Sequence, residues 1–143
     1  MHIQGTSFGY VLALEPGDEL IRSLIEFARH RDVDAAVITG LGAVRGVELG
    51  FYHLAREEYE RHRFDEPLEV CSLTGNIALL DGEPYPHVHG VFGRPDGTTL
   101  GGHVFEAVCA VTLEIAVHTT TGALVRGPVD YCDLKLLQLE DRP

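Results

Sequence analysis

Residues 86–107 have the sequence PHVHGVFGRPDGTTLGGHVFEA, which places two histidine motifs on either side of one turn signal. His87 and His89 are two residues apart, so on a β-strand both side chains project from the same face of the sheet. The segment Pro95-Asp96-Gly97 is typical of a three-residue hairpin loop, because Pro begins a type I turn and Gly adopts the left-handed conformation. This stretch therefore predicts a β-hairpin with histidines on both arms.

The loop length decides which face of the hairpin His103 occupies. With a three-residue loop, Arg94 pairs with Thr98 and His103 lies directly opposite His89. With a four-residue loop, His103 would turn to the other face unless a bulge at Gly101-Gly102 restored its direction. Both routes predict that the three imidazoles share one face.

Three neutral imidazoles on adjacent strands are a common ligand set for zinc, with a fourth position left for water or an acidic group. Iron, nickel and manganese also accept nitrogen ligands, so the pattern indicates a divalent metal, zinc being our choice, without determining which one. The alternative is a set of ordinary histidines held by hydrogen bonds. An HxH motif followed by GGH across one predicted hairpin favours metal ligation by His87, His89 and His103.

Glu114 is the candidate fourth partner of this site, as a metal ligand, as a hydrogen-bond acceptor for an imidazole N–H, or as a general base. A solvated carboxylate on a strand is the competing interpretation. His118 follows four residues later on the same predicted strand face and is a weaker candidate. The sequence has no GxSxG motif, no P-loop and no recognisable Ser/His/Asp pattern.

The bulk properties indicate one globular domain with an acidic surface. The 143-residue chain can bury a core without disulfides. Eleven Lys and Arg residues against 22 Asp and Glu give a formal net charge of −11. Because non-specific DNA affinity comes from cations that displace counterions, this charge disfavours DNA as a partner of the isolated chain.

The sequence also bears on the cellular compartment and on membrane association. The N-terminus lacks the features of a signal peptide, and no apolar run approaches the ~20 residues of a membrane span. Three widely spaced cysteines, Cys71, Cys109 and Cys132, suggest reduced, buried thiols. We therefore expect a cytoplasmic protein with no membrane partner.

The first half of the chain contains the only helical pattern. Residues 8–14 predict a strand, Asp18 is the expected helix N-cap, and residues 20–30 carry apolar side chains at helical spacing. Residues 35–39 predict a buried strand that ends at Gly40-Leu41-Gly42-Ala43-Val44, which we interpret as a tight turn with close backbone packing.

The remainder of the chain predicts strands separated by Gly, Pro and Asp clusters. The charge-rich residues 55–63 are interpreted as a solvated connector. The candidate strands are residues 47–54, 68–80, 88–92, 99–104, 109–118 and 131–139. One helix among seven or eight strands predicts an α+β fold with a mostly antiparallel, Greek-key-like sheet, forming a single domain over residues 1–143, because crossover helices for a parallel sheet are missing.

Several segments together resemble the PPC family, the "plants and prokaryotes conserved" domain, over nearly the whole chain. The most specific part is the HxH motif followed by GGH. The matching segments are GLGAV (40–44), LGFY (49–52), LEVCSLTGN (68–76), PHVH (86–89), GGH (101–103) and TLE (112–114). The chain is identified on these motifs as a stand-alone, prokaryotic-type member.

The resemblance implies a compact α+β domain that assembles as a homotrimer. Plant members carry AT-hooks before the domain and bind DNA, and prokaryotic members often carry a DNA-binding label. The core of an AT-hook is Arg-Gly-Arg-Pro, whereas here Phe92 stands in place of the first Arg before Gly93-Arg94-Pro95. Together with the acidic charge, this speaks against DNA binding.

The His motif is also similar to that of acetolactate decarboxylase, in which an HxH plus GGH set holds zinc. That likeness carries over only to His87, His89 and His103. The enzyme also needs an Arg near the metal to neutralise a substrate carboxylate, and Arg45 is the candidate here.

Three functions follow from these observations. The first is a metal-binding homotrimer with a role in assembly or regulation. The second is a small metalloenzyme, a lyase or hydrolase that acts on a carboxylated small molecule bound at the metal. The third is DNA binding, as the family label suggests.

Overall fold

The computed structural model of the protein describes residues 1–139, and within them the chain forms one α-helix and nine β-strands. The helix is α1 (Leu20–Arg31). The strands are β1 (His2–Thr6), β2 (Gly9–Leu14), β3 (Ala36–His53), β4 (Glu58–Phe64), β5 (Leu68–Leu80), β6 (Glu83–Gly93), β7 (Thr99–Thr119), β8 (Val125–Val129) and β9 (Cys132–Gln138). The predicted α+β class with one helix is confirmed, whereas the prediction of seven or eight strands was too low.

The sheet closes on itself because β6 pairs with both of its long neighbours. β3 pairs with β5, β5 with β6, β6 with β7, and β7 again with β3. All of these pairs are antiparallel, as predicted, but β5 pairs in parallel with β8, so the sheet is mixed. The core lies inside this circuit and includes Val88, Phe92 and Val104 from the histidine hairpin.

Helix α1 packs against β6 and β7 through the apolar stripe seen in the sequence. Leu20, Leu24 and Phe27 on this stripe are buried. The N-cap prediction was wrong by one residue: Glu19, not Asp18, accepts hydrogen bonds from the backbone N–H groups of the first turn. The Asp18 carboxylate instead accepts from the backbone N–H of Glu15 at 2.9 Å, because it closes the turn before the helix.

The GLGAV segment is not a turn, which corrects the prediction for residues 40–44. β3 runs through it as one strand of 18 residues, with register shifts against its neighbours at Gly42. Close backbone packing is confirmed. Gly42 has φ +145, and a Cβ there would lie 2.1 Å from the carbonyl oxygen of Thr112. The glycine therefore permits a bulge that bends a long strand where the sequence pattern suggested a break.

Two further segments differ from the sequence expectations. The connector predicted at residues 55–63 is a turn only over residues 55–57, since β4 begins at Glu58 and pairs with β3 from Val47 to His53. The separate strands expected at residues 99–104 and 109–118 are one strand, β7, of 21 residues. The charged side chains of β4 hid this strand in the sequence, because β4 is mostly exposed and an edge strand tolerates charges on its solvent side.

The cysteines are free among the described residues, as predicted, but only Cys109 is buried, while Cys71 is exposed. The prediction of three buried thiols was therefore wrong for Cys71 and for Cys132, which is partly exposed. In residues 1–139 no helix has the length and apolarity needed to cross a bilayer.

We expect Gly42→Ala to lower the free energy of unfolding by roughly 3 kcal/mol or more, because it adds both a positive-φ penalty and a collision with Thr112. Gly17→Ala is the matched control, since Gly17 also has positive φ (96) but no atom within 4 Å of the added Cβ. It should cost about 1 kcal/mol. Urea denaturation measures both, and equal costs would contradict the bulge argument.

Candidate metal centre

Three histidines converge on the outer face of the hairpin formed by β6 and β7. His89 and His103 are directly opposite each other across the strands, and Gly93 faces Thr99, as the three-residue loop predicts. The Arg94 backbone N–H donates to the Thr98 carbonyl at 2.9 Å, and Gly97 has φ 82. One nitrogen from each of His87, His89 and His103 lies within 4.8 Å of the others. The predicted convergence of the three imidazoles is confirmed.

The strand alternation explains why the imidazoles point away from the core. Val88 and Phe92 face inward and are fully buried, so the odd-numbered residues between and beside them face outward. Glycines let the strands meet closely at this point: a Cβ on Gly102 would lie 2.8 Å from the carbonyl oxygen of Gly50 on β3. The glycines of the GGH motif therefore allow the backbones of β7 and β3 to lie close together. The same motif places His103 beside the other two imidazoles.

Partial burial keeps these imidazoles uncharged. Desolvation lowers the pKa of His87 to about 4, helped by the nearby Arg126 charge. Desolvation likewise lowers the pKa of His103 to about 4, and it lowers the pKa of the more exposed His89. At neutral pH each ring thus keeps a lone pair for a metal ion, which is the form that ligation requires.

The residues present fit a metal ion. The Nδ1 atom of His103 is buried without a hydrogen-bond partner among the described residues. Because buried polar atoms are normally paired, a metal ion would provide the partner that this nitrogen lacks. The Nδ1 atom of His87 already accepts a hydrogen bond from a cationic group, Nη2 of Arg126, at 3.1 Å. Three neutral nitrogen donors suit zinc and also other divalent transition metals.

Arg126 is the residue of this site that sequence reasoning missed. It lies on β8, which was not predicted as a strand, and its side chain is 6% exposed. Its Nη1 donates to the Lys135 carbonyl at 3.1 Å, and its Nη2 donates to the Asn76 Oδ1 at 2.8 Å. Nothing in the local sequence VRGPV indicates a buried cation, so only the position of the β8–β9 hairpin could reveal it.

A small cavity of about 80 Å³ lies beside the histidines. β8 and β9 form one wall of it, and β4, β6 and β7 contribute the others. The lining residues are Tyr59, Tyr85, His87, His103, Phe105, Arg126, Leu134, Lys135 and Leu136. A small molecule in this cavity would contact imidazoles, the guanidinium and apolar side chains together.

The other candidate residues lie elsewhere. Glu114 is exposed on β7 opposite Leu41, in a surface groove with Val11 and Thr39. Arg45 is exposed on β3 opposite Val108, and His118 is exposed and stacks on Phe8 at 4.5 Å between ring centroids. None of the three lines the cavity beside the histidines.

The metal-free protein should lose stability as the pH falls from 6.5 towards 4. The unfolded chain binds protons on these histidines near pH 6.5, whereas the folded chain does so only near 4, so the unfolded state is favoured between these values. Urea denaturation of chelator-treated protein at several pH values measures this. His103→Gln should flatten the pH dependence and His62→Gln, at a more exposed site, should not. An unchanged slope in His103→Gln would contradict it.

Comparison with known proteins identifies the family. The model of the Plants and Prokaryotes Conserved (PCC) domain, abbreviated PPC above, matches residues 2–121. A metal-containing protein of Archaeoglobus fulgidus is similar, with 32% identity, TM-score 0.84, and coverage of 90% of this chain and 91% of that chain. A protein of Ralstonia eutropha JMP134 for which DNA binding has been suggested has 26% identity and TM-score 0.91, with 96% of each chain covered. No curated protein matches the sequence significantly.

A more distant likeness concerns the fold alone. Acetolactate decarboxylase from Bacillus subtilis superimposes with TM-score 0.53 at 14% identity, covering 81% of this chain and 54% of that chain. The resemblance drawn from the sequence motifs is therefore confirmed for the family and supported at the level of the fold for the enzyme. On its match over residues 2–121 and on the histidine hairpin, this chain belongs to the Plants and Prokaryotes Conserved domain family.

Proposed function

We propose that this chain is a zinc-binding homotrimeric PPC-domain protein whose three-histidine site serves assembly or regulation. The observation that carries the proposal is the convergence of His87, His89 and His103, with one nitrogen of each within 4.8 Å of the others. Zinc commonly takes three imidazoles with a fourth position left open. The similar Archaeoglobus fulgidus protein is described as metal-containing, which supports a metal in the family.

The homotrimer is supported by an apolar outer face on the sheet. Val37 and Leu41 on β3 and Val11 on β2 are 48%, 56% and 36% exposed, and β2 and β3 both pair with β7 beneath this face. Exposed apolar side chains grouped on one face of a sheet are typical of a surface that another copy covers. The free cysteines of the described residues also agree with the reducing cytoplasm that we propose as its location.

A role in assembly or regulation is favoured over turnover by the chemistry around the histidines. Among residues 1–139, those that line the cavity include no Asp or Glu to act as a general base or acid. Glu114, the sequence candidate for that task, lies in a different surface groove. The site can therefore hold a metal and a ligand without a carboxylate to act as general base.

The cavity beside the histidines favours a second candidate, a small metalloenzyme of the lyase or hydrolase type. Its volume of about 80 Å³ lies against His87 and His103, so a substrate could reach a metal held there. A bound zinc ion polarises a carbonyl group or acidifies water. In this function Tyr59 and Tyr85, which also line the cavity, would be the candidate proton donors.

DNA binding remains the third candidate, and the charge of the chain opposes it. The suggested function of the Ralstonia eutropha protein belongs to that protein. This chain carries a formal net charge of −11, which repels a phosphate backbone.

We expect the purified protein to contain about one zinc per chain and His89→Ala to lose it, because removal of one of three nitrogen ligands leaves two. Elemental analysis after gel filtration measures the content. His118→Ala is the matched control and should retain the metal, since His118 lies outside the cluster. Equal zinc content in both variants would contradict the site.

We expect light scattering to give a trimer for the wild type and a monomer for Leu41→Asp, because the new carboxylate would lie opposite Glu114 and two like charges would be buried together at the interface. Leu54→Asp is the control, since Leu54 is 81% exposed at the end of β3 beside the β4 hairpin, outside the apolar face. A trimeric Leu41→Asp would exclude this face from the interface.

A further inference from the structure

The Arg126 guanidinium is a buried positive charge without a negative partner in the part of the chain that the structure describes. Its side chain is 6% exposed, and its hydrogen bonds go to the Lys135 carbonyl, the Asn76 amide oxygen and His87. All three acceptors are neutral, and Arg126 forms no ion pair with an acidic side chain in residues 1–139. A buried charge is normally paired, so this one lacks a partner that a ligand could supply.

A metal ion at the histidines would add to this excess of positive charge. Imidazole ligands are neutral and cancel none of the charge of a divalent ion. Among the described residues that line the cavity there is no carboxylate, while Arg126 lies against His87. The negative charge that balances the metal and the guanidinium must then come from a molecule in the cavity.

The hydrogen bonds of Arg126 show which of its donors are free for that molecule. Its Nε is buried without a partner among residues 1–139. Its Nη2 donates to His87 Nδ1, but a metal-bound neutral imidazole uses one nitrogen for the metal and carries a proton on the other. Neither nitrogen of such a ring can accept, so metal binding at His87 frees a second donor. Nε and this Nη2 share one edge of the planar guanidinium, which matches the two oxygens of a carboxylate.

The lining and the volume of the cavity limit the polarity and the size of the remainder of the ligand. Phe105, Leu134 and Leu136 contribute apolar surface, and the volume of about 80 Å³ leaves room for only a few non-hydrogen atoms. We infer that Arg126 is the receptor for a small organic carboxylate that occupies the cavity beside the three histidines. This inference rests on the proposed metal site and names the class of ligand that the site takes.

The receptor belongs to a part of the chain outside the family match. The family model covers residues 2–121, whereas Arg126 lies on β8 and Leu134 and Leu136 lie on β9. Among the described residues, this hairpin pairs with the rest of the sheet through Leu79 with Val125 and Leu80 with Arg126. The ligand preference is therefore set by the β8–β9 hairpin, which lies outside the matched range of residues 2–121.

Calorimetric titration of the full-length protein with sodium propionate tests the inference, with inorganic phosphate as a second arm. The zinc-loaded and the metal-free proteins are both titrated. Arg126→Gln should weaken propionate binding at least about tenfold, because it removes the charge and the paired donors. Arg61→Gln is the matched control: Arg61 lies over the outer side of Phe105, 3.6 Å from the ring centroid, and pairs with Glu48, so its loss should change the affinity less than about twofold.

The zinc content of the wild type, measured separately, decides the proposed metal site. The carboxylate inference is decided by the propionate affinity of Arg126→Gln relative to the wild type, in the zinc-loaded or the metal-free protein. Absence of propionate binding to both wild-type forms, equal affinity in a folded Arg126→Gln, or tighter binding of phosphate than of propionate overturns it. Where Arg126→Gln does not fold, Arg126→Lys keeps the charge but not the paired donors, so its affinity should fall, and an unchanged affinity overturns the inference.

Discussion

The pairing of β6 with β7 is the constraint on which the rest of the structure depends. It closes the circuit of strands around the core, and it alone brings His89 opposite His103. A slip of one residue would reverse every side chain on one arm, burying His103 and exposing Val104. The turn at residues 95–97 prevents that slip, because Gly97 has the positive φ that a three-residue loop requires and its neighbours close it with hydrogen bonds. Core and metal centre therefore rest on the same register.

Glycine gives the long strands the curvature that this closure needs. β3 and β7 have 18 and 21 residues, too long to stay flat while wrapping a core. Their mutual register shifts three times, once beside Gly42, where a side chain would strike the Thr112 carbonyl. Each shift changes which residues face inward. Side chains therefore alternate between the two faces of a strand only between bulges. Beyond a bulge, residue numbering from the histidines no longer predicts which face a side chain occupies.

The candidate metal centre combines neutral ligands with a buried cation. The imidazoles lose their charge because desolvation opposes protonation, which leaves them ready to bind a metal ion. The guanidinium of Arg126 keeps its charge even though burial lowers its pKa, since the ordinary value lies so high. Within residues 1–139 no acidic side chain lines the cavity, in contrast to sites that carry their own general base. This arrangement favours a site that receives negative charge from outside.

By itself the sequence determined the features of this protein that short segments encode. These are the apolar stripe of α1, the strand of residues 68–80 and the histidine hairpin. These features depend on side-chain periodicity and on one turn, which short stretches of chain encode. Only the tertiary structure decided that GLGAV bends a continuous strand, that Glu114 faces a different groove, and that Arg126 reaches His87 from 39 residues away. Such contacts depend on the positions of bulges and on the pairing of strands that are distant in sequence. Short sequence patterns do not encode either of these.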